Sequence, residues 1–324
     1  MKERLLGGQR ATLLAKSDGC SVIQFENHTG EGTMTCYEIF PGAILTFNDF
    51  HMEYFDSEYV PQDHIFAIDY CREGRMEYVA AKDAYAYVQA KDVKFDKRLH
   101  HVGRFVFPAK HYHGLTVAFD VNIATEAFAA EVKDFPVELT ALRDKYCYSQ
   151  YPKVIHKMEE MDHIFGELYQ VPQKIQIPYF KIKILELLLY LEALELPEEE
   201  NAQPYFYKTQ VEKVKAVQQF LAEHYAENHT QEELAKRFEI SLTTMKKCFK
   251  NIYGTSIGAW LGSYRMEQAA ELLRGRQELS IAQIAGEVGY DSASKFALAF
   301  RKGMGMSPTE YRQERSRGGM IENE

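Results

Sequence analysis

The last third of the chain repeats itself, and this repeat constrains the possible folds more than any other feature. At an offset of 50 residues Thr230 aligns with Ser280, Glu233 with Gln283, Leu234 with Ile284 and Ala235 with Ala285. The offset then becomes 51, so that Ser241 aligns with Ser292, Met245 with Phe296, Phe249 with Phe300 and Trp260 with Tyr311. Thr230 with Glu233, and Ser280 with Gln283, have the spacing of a capping box, in which a hydroxyl and a Glu or Gln side chain satisfy the first free amides of a helix. The pattern predicts short helices over 231–238 and 281–288, and following helices over 242–253 and 293–302. An amphipathic helix over 257–273 joins the copies. Met245 with Phe249, and Phe296 with Phe300, lie four apart and share a buried face. Each copy is therefore a helix-turn-helix, whose second helix enters the major groove of duplex DNA.

The charge distribution bears on the same point. The 324 residues carry a net charge of −9, the opposite of the basic footprint expected on a phosphate-binding protein. That value averages two unlike regions. Residues 205–324 hold 17 Lys and Arg against 15 Asp and Glu, whereas the first 204 hold 21 against 32. The second helix of the first copy carries Lys246, Lys247 and Lys250, that of the second copy Lys295, Arg301 and Lys302, and neither carries an acid. With the aromatic and Met positions inward, Thr243, Thr244, Lys246, Lys247 and Lys250 face DNA in the first copy. Ser294, Lys295, Leu298, Arg301 and Lys302 do so in the second. Lys246 and Lys247 can donate to guanine O6 and N7, and Lys250 meets phosphate. Leu298 can only pack on a thymine methyl or a sugar. The first unit is therefore expected to discriminate bases and the second to position the protein.

Residues 208–315 resemble the DNA-binding domain of the AraC/XylS family of transcription regulators. The likeness runs through EELAKRFEIS, MKKCFKNIYGTSIGAWL, SIAQIAGEVGYDSASKFALAFRK and GMSPTEYR. It implies two helix-turn-helix units on one rigid linker helix, reading successive major grooves of double-stranded DNA. It also implies RNA polymerase as a partner and activation rather than repression.

Residues 10–122 read as short strands over 34–40, 44–50, 66–70, 76–80, 104–107 and 115–119, the signature of an antiparallel barrel or sandwich. The family resemblance implies a cupin-like effector-binding barrel here, and the whole chain is then α+β. Seven of the eleven histidines fall in this region. His111 and His113 alternate along one strand face and, with His51 or Glu53, could bind a divalent metal. The favoured reading is a small-molecule pocket lined by Phe47, His51, Phe105, Phe107, His111, Tyr112 and His113, with no metal or cofactor.

Further on, a helical segment is expected from Pro152 to Tyr169, then an apolar helix reaching Leu196. In that helix Ile177, Ile184 and Leu191 recur every seven residues, as do Phe180, Leu187 and Leu194. This is the seam pattern of paired helices; Leu185, Leu188 and Leu189 widen the stripe, so the helix is expected to pack on its own domain and a partner chain together, and the family resemblance implies a homodimer. The resulting division is a sensor over 1–135, a helical dimerisation segment over 136–196, a polar linker over 197–207 and the DNA-binding domain over 208–315. The N-terminus lacks a secretory h-region, no apolar run is long enough for a bilayer, and the five cysteines contain no CxxC pair. A cytoplasmic protein with no membrane partner is expected. No GxSxG, P-loop, HExxH or GxGxxG occurs in a usable context, so catalysis is not expected. The sequence therefore reads as a transcription activator controlled by an unidentified small-molecule effector. The alternatives are a regulator whose N-terminal domain answers to a protein partner, and a metal-binding cupin enzyme fused to a DNA-binding module.

Overall fold

In β4 (Ala43–His51) and β10 (Tyr112–Asp120) every residue from 43 to 48 and from 112 to 120 is at least partly buried, which requires a sheet covered on both faces. The computed structural model describes residues 11–17, 19–101, 103–158, 161–196 and 205–318. It divides into two units, Met1–Tyr207 and Lys208–Glu324. In the first unit β1 (Ala11–Ser17), β2 (Cys20–Asn27), β3 (Gly30–Phe40), β4, β10 and β6 (Ile65–Ala81) pair in that order, all antiparallel. The two predicted strands over 66–70 and 76–80 are one bent strand, β6. Its first half pairs with β8 (Val93–Asp96) and its second half with β7 (Ala84–Gln89). The bend contains Gly74 at φ +85°, where a Cβ would lie 2.2 Å from the His111 carbonyl oxygen. β5 (Tyr54–Ser57) and β9 (Gly103–Val106) form a separate ribbon. The antiparallel, strand-rich domain is as expected, but among the described residues the strand path stays open and does not close into a barrel.

One face of the sheet is packed by helices. Leu45, Ile68, Leu115, Val117 and Phe119 meet Phe128 of α1 (Val121–Glu131), Leu142 of α2 (Leu139–Tyr146) and Phe165 of α3 (Asp162–Glu167) in a single core. The same core takes in α4 (Gln176–Ala193). The expected helix from Pro152 is corrected: Lys153–Ile155 form β11, because Val154 and Ile155 pair with β8. The predicted dimer seam is corrected as well. Phe180, Ile184, Leu187 and Leu191 are buried under the chain's own sheet, and Ile177 and Leu194 pack beside them. Of the expected linker, 197–204 lie outside the described residues. Phe206–Tyr207 form β12, paired with β7.

In the second unit the helices are α5 (Lys208–Glu223), α6 (Gln231–Arg237), α7 (Leu242–Tyr253), α8 (Ile257–Gly275), α9 (Ile281–Glu287), α10 (Ala293–Met304) and α11 (Pro308–Gly318). Both capping boxes form. Thr230 and Ser280 accept from the amides of Glu233 and Gln283, whose side chains accept from the capping amides in return. Among the described residues no helix is long and apolar enough to cross a membrane.

The position of α4 gives a direct test. Leu187→Ala should cost about 3 kcal/mol of unfolding free energy in urea, the usual penalty for a cavity in a packed core. A seam residue would instead change the sedimentation behaviour and leave the protomer stable.

Candidate nucleic-acid interface and ligand cavity

The two second helices present opposite characters on opposite faces. In α7 Met245, Cys248, Phe249 and Ile252 are buried, while Thr243, Lys246, Lys247 and Lys250 are exposed and Thr244 is half-buried. In α10 Phe296 and Phe300 are buried, and Ser294, Lys295, Leu298, Arg301 and Lys302 are exposed. Leu298 is 72% exposed, an apolar side chain for which this unit provides no packing. All ten positions read from the sequence as facing DNA thus lie off the core. Ser241 and Ser292 cap their helices by accepting from the amides of Thr244 and Lys295.

Arg265 on the linker helix α8 was not anticipated. Its guanidinium donates to the carbonyls of Tyr225 (2.6 Å) and Glu227 (2.9 Å), to Asn228 Oδ1 (3.2 Å) and to the carbonyl of Gly289 (3.5 Å). It therefore ties the loop before α6 to the turn of the second helix-turn-helix. Gly289 sits at φ +81°, and a Cβ there would come within 2.5 Å of the Ala226 carbonyl oxygen. The conspicuous sequence signal, Gly289 in a turn, marked this spot without revealing the arginine.

Three comparisons bear on this unit. Residues 234–314 match a family model described as a helix-turn-helix domain. The domain is of the AraC type. The HTH-type transcriptional regulator ExsA of Pseudomonas aeruginosa is 34% identical over 100 residues, 31% of this chain and 36% of ExsA. The virulence regulon transcriptional activator VirF of Yersinia enterocolitica is 34% identical over 96 residues, 30% of this chain and 35% of VirF. The alignments span about a third of these curated relatives. The C-terminal domain of AraT, a response regulator from Geobacillus stearothermophilus, is 38% identical over 32% of this chain and 85% of that one, with a TM-score of 0.31.

In the first unit a cavity enclosing about 710 Å³ of non-atom space, its mouth included, lies on the sheet face away from the helices. Phe50, Phe55, Phe105, Phe107, Met34 and Met76 form its apolar wall, and Phe50 stacks on Phe107 with centroids 5.2 Å apart. Of the seven residues expected to line a pocket, Phe105, Phe107 and Tyr112 do so. Period-two alternation sends the others elsewhere. Phe47 points to the helix side, edge-on to Tyr37 and Tyr169. His51 and His113 stand on that same side beyond the helices, and His111 donates from Nδ1 to the Ala109 carbonyl.

The polar end of the cavity was missed. Lys94, Asp69, Arg98 and Asp96 form a buried quartet. Lys94 Nζ lies 3.1 Å from Asp69 and 2.9 Å from Asp96, and Arg98 Nη2 lies 2.6 Å from Asp69. Burial alone would raise the Asp69 carboxyl, but Arg98 and Lys94, with hydrogen bonds from Arg98 and Thr116, hold it well below the usual carboxylate range. Thr116 spends its proton on Asp69 (2.6 Å), so it must accept from Asn48, which fixes Nδ2 on that side (3.1 Å). Asn48 Oδ1 is left buried with no hydrogen-bond partner, as is the Tyr59 hydroxyl; both residues line the cavity. The available signal was a charge inside an apolar run, as in IFAIDYC and VKF.

His101 also lines the cavity. Burial, then the positive charges of Arg98 and Lys94, push its pKa well below the ordinary 6.5. It is therefore neutral, accepting at Nδ1 from Arg98 (3.1 Å) and carrying its proton on Nε2. The unfolded chain takes up a proton near pH 6.5 that the folded chain refuses, so stability falls as pH falls. Stability should therefore drop as pH falls through about 6.5, and His101→Gln should show a shallower pH dependence in urea titrations over that range.

Proposed function

We propose that the chain is a sequence-specific DNA-binding transcription regulator, an activator in the cytoplasm. In this reading it works with RNA polymerase and is controlled by a small molecule held in the N-terminal cavity. The observation that carries it is the pair of recognition helices, each with a basic, acid-free outer face, in a domain similar to those of transcription regulators. The net charge of only +2 beyond residue 204 fits modest non-specific affinity that added salt quickly erodes. The protein acts as a homodimer. With one side of α4 occupied by its own sheet, the stripe left for a partner is Ile175, Ile182 and Leu189, again spaced by seven, with Ile182 63% exposed.

The cavity favours an uncharged ligand with an apolar or aromatic body and at least one hydrogen-bond donor. Asp69 and Arg98 in its wall belong to a quartet that is already neutral, so a charged ligand would be buried without compensation. Asn48 Oδ1 needs a donor, which a carboxylate cannot supply.

Two measurements test these readings. In anisotropy titrations on a selected operator, Lys247→Ala should weaken binding about tenfold and narrow the gap to scrambled DNA, as expected for a lost base contact. Leu298→Ala should weaken both DNAs alike and by less. Equal losses of specificity would remove the division of labour, and a chain without sequence preference would remove the regulator reading. In a thermal-shift series, neutral aromatic alcohols or amides should raise the melting temperature and matched carboxylates should not. A ligand at 100 times its Kd adds about 2.7 kcal/mol. Asn48→Leu should abolish the preference for donor-bearing ligands.

A further inference from the structure

The outer, helix-side face of the sheet carries a second cluster that neither the DNA-binding domain nor the cavity uses. His113 on β10 sits directly across from Asp49 on β4 and from Glu73 on β6, and His51 lies two residues beyond Asp49 on the same face. Asp49 Oδ1 is 3.0 Å from His51 Nε2 and 3.0 Å from His113 Nε2, and the two nitrogens are 3.2 Å apart.

No arrangement of protons makes this triangle attractive throughout. If both nitrogens are protonated, each donates to the carboxylate and the two N–H groups repel across 3.2 Å. If one is protonated, the lone pair of the other faces the carboxylate oxygen at 3.0 Å. A cation in the centre satisfies all three atoms together. Around a Zn²⁺ ion with ligands at 2.0–2.2 Å, tetrahedral donor atoms stand about 3.3 Å from one another. The observed edges are only a few tenths of an ångström shorter, so the three side chains need little movement.

A second feature orients the donors. His113 Nδ1 faces Glu73 Oε2 at 3.7 Å, so the carboxylate favours a proton on Nδ1 and leaves Nε2 free to ligate. Carboxylates act this way on the far side of metal-bound imidazoles. Glu73 is shared with Arg72, whose Nε is 3.8 Å away.

We infer that Asp49, His51 and His113 form a binding site for a divalent transition metal of the Zn²⁺ type. Two imidazoles and one carboxylate suit Zn²⁺, Co²⁺ or Ni²⁺ rather than the all-oxygen preference of Mg²⁺ or Ca²⁺. Asp49 and His51 are exposed, which leaves the fourth position to water. The site differs from the one read from the sequence. His111 is held by the Ala109 carbonyl, and Glu53 pairs with Lys110. A bound ion would join β4 to β10, the strands whose opposite face supplies Asn48, Phe50 and Tyr112 to the cavity.

The test is calorimetric titration of the full, tag-free chain with ZnCl₂, paired with the visible absorption of the Co²⁺ form. One saturable equivalent is expected, with an intense tetrahedral Co²⁺ band and a raised melting temperature. His51→Ala or His113→Ala should weaken binding at least tenfold, and the double variant should abolish both the band and the thermal shift. Glu73→Gln should weaken it about tenfold, the usual effect of losing an outer partner. His111→Ala should bind like the parent. Circular dichroism matching the parent's establishes that each variant is folded. Absence of saturable binding by the parent, binding that persists in the double variant, or an equal loss on His111→Ala would each overturn the assignment.

Discussion

A strand has only two faces, and in the N-terminal unit each face of the sheet has a separate task. Residues 45 and 47 of β4, and 115, 117 and 119 of β10, point to the helices and make the main core. Residues 44, 46, 48 and 50, with 112, 116 and 118, point to the cavity. Beyond the reach of the helices, the same face that makes the core is open to solvent and carries Asp49, His51 and His113. A one-residue slip in register would exchange all three environments at once, so hydrophobic burial specifies the register strongly. The cavity, the core and the histidine cluster are consequences of a single alternation.

The cavity floor shows how polar chemistry survives inside this sheet. Lys94 and Arg98 are almost fully buried, and both are matched by Asp69 and Asp96. Such a quartet adds little net stability compared with apolar residues of similar size, but losing one member strands a buried charge at a cost of several kcal/mol. It also fixes proton positions in its surroundings. Asp69 takes the Thr116 proton, which orients Asn48, and Arg98 takes the Nδ1 lone pair of His101. The hydrogen-bonding character of the cavity wall therefore follows from a charge network of which only Asp69 and Arg98 reach the lining.

In the C-terminal unit the repeat produces two similar cores, each with aromatic or Met residues from its second helix. What turns two copies into one unit is the asymmetric part. Arg265 on the linker helix reaches carbonyls on both sides, and Gly289 leaves room for that contact. The first copy has a partial counterpart: Lys213 on α5 donates to the carbonyl of Glu239, which aligns with Gly289, but only Arg265 reaches the loop before α6 as well. In the proposed DNA-binding role such a rigid link fixes the spacing of the two recognition helices, whereas a flexible one would lose the entropy of ordering on each encounter with DNA.

Residues Thr230 to Tyr311 were legible from the sequence because their information is local. Caps, i to i+4 pairs and the charge of exposed helix faces act within a few residues, and a repeat displays them twice. The strands of the N-terminal unit were only partly legible. β6 carries two pairings on one bent strand, and β11 took residues 153–155 from an expected helix. The heptad spacing on α4 was real, yet spacing alone cannot say whether a partner or the chain's own sheet covers the stripe, and here the sheet does. Lys94 and Arg98 lie 25 and 29 residues along the chain from their partner Asp69, and His113 lies 62 residues from His51. The sequence by itself determined which residues are charged, apolar or turn-forming. Only tertiary structure decided which of them meet, because strand register and burial bring distant residues within hydrogen-bonding reach.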